Sequence, residues 1–321
     1  MTRIFVTGAS GFVGGAAARA FVRDGFTVRA MSRSDRSDAI IRETGAQPVR
    51  CDLEDVSPAH IGDAEIVLHC AAFVEAWGPR DAWRRFNVEG ARRMLEAARA
   101  AGVRRFIHIG TEAALLKGQH LRHVDETYPL APNSPYPYSA TKAQAEMLVR
   151  AANAPGFETL ILRPRFIWGP GDLTLLPMIE TMAASGQWSW IDHGKAVTST
   201  THIDNLVAAI GCALTRGGGG EAYFVLDDGA RSMREMISGM AASRGLTLAD
   251  RNTPSWAADA VAAISAGAWR AFNLKGAPPL TPFAAMVMSR DCILDDSKAR
   301  RDLDYRPVVS VEDGLKALAA A

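Results

Sequence analysis

Apolar and polar positions along this chain follow two rhythms. Short apolar runs with β-branched or aromatic content recur at Arg3–Val6, Thr27–Met31, Val49–Asp52, Ile66–Cys70, Phe106–Ile109 and Thr159–Leu162, and Ala222–Leu226 adds a late one. Runs this short and this continuous suit strands buried on both faces. Between them lie amphipathic stretches at helical spacing, such as Gly14–Arg23, Trp83–Ala100 and Tyr138–Ala151. Strand–helix alternation predicts an α/β fold: a doubly wound, Rossmann-type parallel sheet with helices on both faces.

The pattern changes near Trp168-Gly169-Pro170-Gly171-Asp172. Beyond it come Trp188, Trp190, Trp256 and Trp269, with several Met and Pro residues. These later pieces predict a smaller, discontinuous lobe. The expected division is a dinucleotide-binding domain over 1–165, rejoined by 195–226, and a substrate-binding lobe made of 166–194 and 227–321. The apolar Met- and Trp-bearing segments read equally well as plain core or as the wall of a greasy substrate pocket. Gly217–Gly220 reads as a turn between a helix and the late strand.

Composition narrows the classes. With 48% apolar and 22% charged residues and a formal net charge of +1, nothing selects nucleic acid or an anionic membrane. No run of about 18 apolar residues is present, so no membrane span is expected. The opening residues run directly into a strand, without the pattern of a signal peptide. Cys51, Cys70, Cys212 and Cys292 are widely spaced, which argues against disulfides and zinc and suits a reducing cytoplasm. His69, His108 and His202 lack metal-ligand spacing and read as core or capping residues, so no metal is expected.

Candidate chemistry begins at Thr7-Gly8-Ala9-Ser10-Gly11-Phe12-Val13-Gly14, which follows the first strand and opens the first helix. Glycine lets backbone approach a pyrophosphate, and amides with the positive helix end hold the anion. Gly8, Ser10, Gly11, Phe12, Val13 and Gly14 are therefore the expected cofactor cradle. At the end of the second strand stand Ser32 and Arg33, where an acid would bind ribose hydroxyls. Arg pairs with a 2′-phosphate and stacks on adenine, so NADP(H) is favoured and NAD(H) stays open. Arg36 reads as a solvated loop residue. Asp52 and Leu53, after the third strand, are expected near the adenine.

Tyr138-Ser139-Ala140-Thr141-Lys142 starts a helix prepared by Ser134-Pro135-Tyr136-Pro137. Residues four apart share a helix face, so phenol and ammonium address one ligand. A neighbouring cation is expected to lower the phenol's pKa and let Tyr138 exchange a proton with a carbonyl or hydroxyl oxygen. Thr111, after Ile107-His108-Ile109-Gly110, would present a hydroxyl at the carboxyl edge of the sheet, where open α/β folds bind ligands. Taken alone, a Thr there is an N-cap or turn residue. Glu112 reads as a helix-start residue.

Thr7-Gly8 with Gly11-Phe12 and Gly14, followed about 130 residues later by Tyr138 and Lys142, resembles the extended short-chain dehydrogenases/reductases. His69-Cys70-Ala71-Ala72, Asn87-Val88-Glu89-Gly90, Leu162-Arg163-Pro164, Thr201-His202-Ile203-Asp204-Asn205-Leu206, Ser297-Lys298-Ala299 and Leu303-Asp304-Tyr305-Arg306-Pro307 extend the likeness over essentially the whole chain. Within that family Phe73-Val74-Glu75-Ala76-Trp77-Gly78 and Pro278-Pro279-Leu280-Thr281 are similar to the 3β-hydroxysteroid dehydrogenase-like branch. The resemblance implies that Ala71, Ala72 and Pro164 line the cofactor site and that Lys142 also holds the nicotinamide ribose. It implies further that Asn87 supports the proton path and that Thr111 stands where Ser is usual. It implies hydride transfer between NAD(P)(H) and a hydroxyl or carbonyl carbon of a mostly apolar small molecule, in a homodimer. Ser32 and Arg33 depart from the acidic end of NAD-using members.

Two other functions share these features. Nucleotide-sugar epimerases and dehydratases keep NAD bound and carry the same Tyr–Lys pair, and Arg165 is a candidate phosphate ligand for them. A non-catalytic dinucleotide sensor would share the cradle, although such proteins often lack the Tyr or the Lys.

Overall fold

In the computed structural model, which describes residues 1–79 and 81–320, the expected strands form one parallel sheet. They are β1 (Arg3–Thr7), β2 (Thr27–Ser32), β3 (Gln47–Arg50), β4 (Ile66–His69), β5 (Arg105–Ile109), β6 (Glu158–Pro164) and β7 (Ala222–Val225). Their spatial order is β7-β6-β5-β4-β1-β2-β3. Sheet order reverses between β1 and β4, and the register there pairs Val6 with Leu68 and Thr7 with His69. A reversal of this kind opens a crevice at the carboxyl edge of the strands.

Two apolar layers sandwich the sheet. Ile4, Val6, Phe21, Ile107, Leu160, Leu162 and Leu206 lie in one, and Phe5, Val67, Met94, Phe106, Val149 and Ile161 in the other. Alternate residues of β1 and β5 thus face opposite layers, as strand geometry requires. Ala299, Leu303 and Tyr305, from late in the chain, also pack into the first layer. A third cluster gathers Trp168, Ile179, Trp188, Trp190, Met233, Met236, Ile237 and Met240.

Three sequence expectations shift. The third strand runs Gln47–Arg50, not Val49–Asp52, because the pairing with β2 ends at Ser32 opposite Arg50. The stretch expected as one helix over Trp83–Ala100 starts as a π-helix, Arg84–Glu89, before continuing as an α-helix over Gly90–Ala100. Of the tryptophans, Trp188 and Trp190 are core, while Trp256 is 75% exposed.

The helix Pro137–Ala151 is anchored from below. Arg163 on β6 donates from Nε (2.9 Å) and Nη2 (2.6 Å) to Glu146, and both side chains are buried. Above, helix Ser255–Ala271 packs on Pro282–Ser289 through Ala faces and leaves Trp256, Val261 and Ile264 exposed. No helix among the described residues is long and apolar enough to cross a membrane.

Candidate active site

The crevice at the carboxyl edge is a cleft of about 900 Å³. Its floor is the glycine turn. Gly8 adopts φ +73°, which favours glycine, and a Cβ there would press on Ala71 N at 3.0 Å. A Cβ on Gly14 would run into the Gly8 carbonyl, so helix Phe12–Arg23 can start this close to β1 only with glycine. The helix carries neither a capping side-chain bond nor an acid in its first turn, which leaves its amides available to an anion. A pyrophosphate fits this cradle, and the residues present fit a nicotinamide dinucleotide.

Thr7 fastens the neighbouring wall. Its Oγ accepts from Cys70 N (3.1 Å) and Ala71 N (3.0 Å), so its proton goes to His69 Nδ1 at 2.8 Å. That bond holds His69 as a neutral ring, and burial, with the Lys142 charge adding to it, pushes its pKa down to about 3. Ala71, Ala72 and Phe73 then line the cleft. Asn87, brought inward by the π-turn, clamps this loop: Phe73 N donates to its Oδ1 (2.7 Å), and its Nδ2 donates to Phe73 O (3.1 Å) and Thr141 Oγ1 (3.2 Å).

The other expected cofactor residues divide. Arg33, Asp52, Leu53 and Pro164 line the cleft. Arg33 is exposed, and no carboxylate among the described residues pairs with it. Asp52 Oδ1 accepts from Glu54 N at 2.6 Å. Ser32 does not line the cleft: its hydroxyl bonds Ser37 Oγ (2.9 Å) and Ser34 O (3.2 Å), so its part is to shape the turn that carries Arg33.

Tyr138 and Thr111 meet on the opposite wall, with Glu112 beside them. Lys142 is buried behind them, its Nζ donating to Ile109 O at 2.8 Å. Burial lowers Lys142 from 10.5 to about 8, against the pull of Glu146 and Cys70. The expected lowering of the phenol is corrected here. Burial pushes Tyr138 well above its ordinary value, and the Glu112 charge adds to the rise, while only Thr111 opposes it. Lys142, whose ammonium donates to the β5 carbonyl of Ile109, is not among the groups that shift it.

Sequence reading missed a buried ion pair. Glu112 starts a 3-10 turn, as a helix-start residue would, but its carboxylate is enclosed and pairs with Arg165 Nη1. Arg165 Nε also donates to Thr198 Oγ1 at 3.1 Å. The only sequence signal was a second arginine, Arg165, at the end of a buried strand, where a charge demands a partner. The apolar lining was also missed: Phe73, Phe86, Phe166, Phe283 and Val287 form it, and no tryptophan does. His202 caps helix Ile203–Ala213 through Nδ1, and His108 is buried with neither ring nitrogen hydrogen-bonded among the described residues. No His/Cys/Asp/Glu cluster among the described residues suits a metal.

Fold and cleft together define a nicotinamide-dinucleotide oxidoreductase of the extended short-chain dehydrogenase/reductase class. The chain belongs to the NAD dependent epimerase/dehydratase family, whose model matches residues 4–225, and within it to the 3β-hydroxysteroid dehydrogenase-like branch. It is 38% identical over 99% of its length to the 4-hydroxy-2-methyl-3-oxo-4-farnesyl-3,4-dihydroquinoline-1-oxide ketoreductase of Stigmatella aurantiaca, 96% of which is covered. It is 34% identical to the 2-alkyl-3-oxoalkanoate reductase of Stenotrophomonas maltophilia, over 99% of both chains. In fold it is similar to the UDP-glucuronic acid 4-epimerase of Bacillus cereus in complex with NAD, with a TM-score of 0.76 at 22% identity, covering 99% of this chain and 98% of the other. The chain is an NAD(P)-dependent oxidoreductase acting on a hydroxyl/carbonyl pair.

Proposed function

We propose that this enzyme uses NADP(H) to interconvert a ketone and an alcohol on a mostly apolar small molecule. The observation that carries the reading is a single cleft in which the glycine cradle faces Tyr138 and Thr111 across a wall of Phe73, Phe86, Phe166, Phe283 and Val287. The dinucleotide supplies or accepts the hydride. Tyr138 exchanges the proton at the substrate oxygen, and its raised pKa keeps it a proton donor at neutral pH. Thr111 fixes that oxygen beside the phenol, and Lys142, which lies behind the cleft wall on Ile109 O, turns from that carbonyl to hold the nicotinamide ribose when the dinucleotide binds. The apolar wall excludes water and orients the substrate by shape.

Two relatives support the substrate class, since both names describe an oxo group on a molecule that bears an alkyl or farnesyl substituent. Segments 166–194 and 227–321 form the substrate lobe in this reading, contributing Phe166, Phe283 and Val287. The phosphate of NADPH pairs with Arg33, whose charge no described carboxylate neutralises. A homodimer through helix Pro137–Ala151, on which Met147 is 49% exposed, belongs to the same reading. The nucleotide-sugar alternative is weakened by Arg165, whose Nη1 and Nε are already engaged by Glu112 and Thr198.

Stopped assays with long-chain 3-oxo esters test it. NADPH consumption is expected, with Tyr138→Phe binding NADPH normally but turning over roughly a thousandfold more slowly. Arg33→Ala should weaken NADPH by about tenfold or more and leave NADH nearly unchanged. Equal weakening of both dinucleotides, or tightly retained NAD in the purified protein, rejects the reading.

A further inference from the structure

Helix Ser255–Ala271 buries one line of small side chains and leaves the opposite line bare. Ala258, Ala262 and Ala266 are buried, and the helix lies on Pro282–Ser289, whose Phe283 and Val287 line the cleft. At about 100° per residue the opposite line is Trp256, Ala260, Ile264, Gly267 and Ala271. All five are exposed, Ile264 by 72%. Val261 and Phe272 widen the strip on one flank, and Phe272 is 76% exposed. The two charges of the helix, Asp259 and Arg270, stand about three turns apart on the other flank. Its end is closed rather than frayed. Asn273 takes φ +48°, and Leu274 N donates to Trp269 O at 3.0 Å, which leaves the Leu274 side chain partly in solvent. An apolar strip about four turns long marks a surface that something covers.

Two observations choose the occupant. The first is charge. From Ala260 to Arg290 the chain has no Asp or Glu, although it holds 35 in all. Arg270, Lys275 and Arg290 fall within that stretch. Arg290 donates to Asp259 at 2.8 Å, while Arg270 and Lys275 are exposed at the end of the strip. The whole-chain charge of +1 hides this local excess. The second observation is place. Arg270 stacks over Trp77 at 4.9 Å, in the loop whose Val74 forms one lip of the cleft. Leu173 forms another lip, and both residues are exposed although they line the cleft. The apolar strip thus ends beside an apolar mouth.

We infer that this face rests on an anionic lipid surface, with the helix in the headgroup plane and the cleft mouth turned to the bilayer. Aromatic residues near both ends, aliphatic ones between them and cations at one end suit an interfacial helix. The choice of lipid over a protein partner rests on the proposed function, because a ketone with an alkyl or farnesyl chain leaves water for a bilayer. Such a substrate enters past Val74 and Leu173 directly from lipid.

Co-sedimentation of the full chain with sucrose-loaded vesicles tests it, and no substrate is required. The protein should pellet with phosphatidylcholine and phosphatidylglycerol in equal parts, and roughly fivefold less with phosphatidylcholine alone. The emission of Trp256, taken as the parent spectrum minus that of Trp256→Phe, should shift to the blue on binding. Val261→Glu/Ile264→Glu should weaken vesicle binding about a hundredfold. It should leave NADPH binding and turnover of a short, water-miscible ketone unchanged, because both side chains lie outside the cleft lining. If that variant fails to fold, Trp256→Ser, at an exposed site, carries the same measurements. No pelleting, equal pelleting on both lipids, or pelleting that survives the variants overturns the inference. So does a change of oligomeric state in the same variants by light scattering, which assigns the face to a second copy. A short ketone turned over without vesicle binding keeps the oxidoreductase reading and rejects this one. Vesicle binding with no ketone turned over does the reverse.

Discussion

Lys142 shows how a residue needed for chemistry burdens the fold. Its ammonium is nearly enclosed and its pKa is lowered from 10.5 to about 8 by burial. Between those two values the unfolded chain binds a proton that the folded chain does not. Stability therefore rises with pH through that window, and below about pH 8 the native state carries the whole cost, on the order of 3 kcal/mol. Lys142→Met should remove this burden, offset by about 1 kcal/mol for the hydrogen bond to Ile109 O. The expected outcome is an inactive protein whose Tm at pH 7 exceeds that of the parent, with the gap closing as pH approaches 10.5. Thermal unfolding at pH 7, 9 and 10.5 checks it, and a lower Tm at pH 7 would contradict the burial argument. The same sign of dependence, stability lost on acidification, is expected in a lower window from His69, whose ring stays neutral in the fold while the unfolded chain takes up a proton as pH falls from 6.5 towards 3.

At the scale of elements, helix Pro137–Ala151 holds its two chemical residues in place through a third, Glu146, one turn beyond Lys142. Glu146 receives Arg163 in a bidentate bond and Arg150 Nε at 2.9 Å, and Arg163 Nη1 makes no hydrogen bond among the described residues. Glu146→Ala should destabilise the protein by about 3–5 kcal/mol, because it strands a buried guanidinium between β6 and the helix. Urea unfolding measures this, and a cost under 1 kcal/mol would mean that water reaches Arg163 freely. What was legible in the sequence follows from how locally each element is specified. β1, β4 and β5 were plain because a strand buried on both faces is an apolar run, and the glycine turn because its geometry excludes a side chain at Gly14. β3 slipped because its residues Gln47 and Arg50 are exposed at the sheet edge and carry little apolar signal. The two-residue strands Ile167–Trp168 and Thr201–His202 are too short for any periodicity to register. Glu112 and Arg165 lie 53 residues apart, and only the folded sheet brings them together.

Across the whole molecule, the cleft separates two kinds of surface. One wall is backbone and small residues, set by the strand order, and it suits a ligand common to many enzymes. The other is built from side chains that arrive from distant stretches, Phe73, Phe166 and Phe283 among them. Sequence pattern foretold the first wall and not the second, because the late apolar segments hold enough core-forming residues, Trp188, Trp190 and Met236 included, to mask which few face the ligand. The π-turn Arg84–Glu89 gives this division a consequence for how the chain tolerates change in length. A π-turn amounts to one residue more than the α-helix it interrupts. Deleting any single residue from it would tidy the helix, yet swing what precedes the deletion by about 100° about the helix axis and part Asn87 from Phe73. The Gly217–Gly220 turn, on the surface between a helix and β7, has no such phase to keep. Length variation should therefore be absorbed at Gly217–Gly220 and resisted in the π-turn, where one residue fewer would unfasten the wall of the cleft.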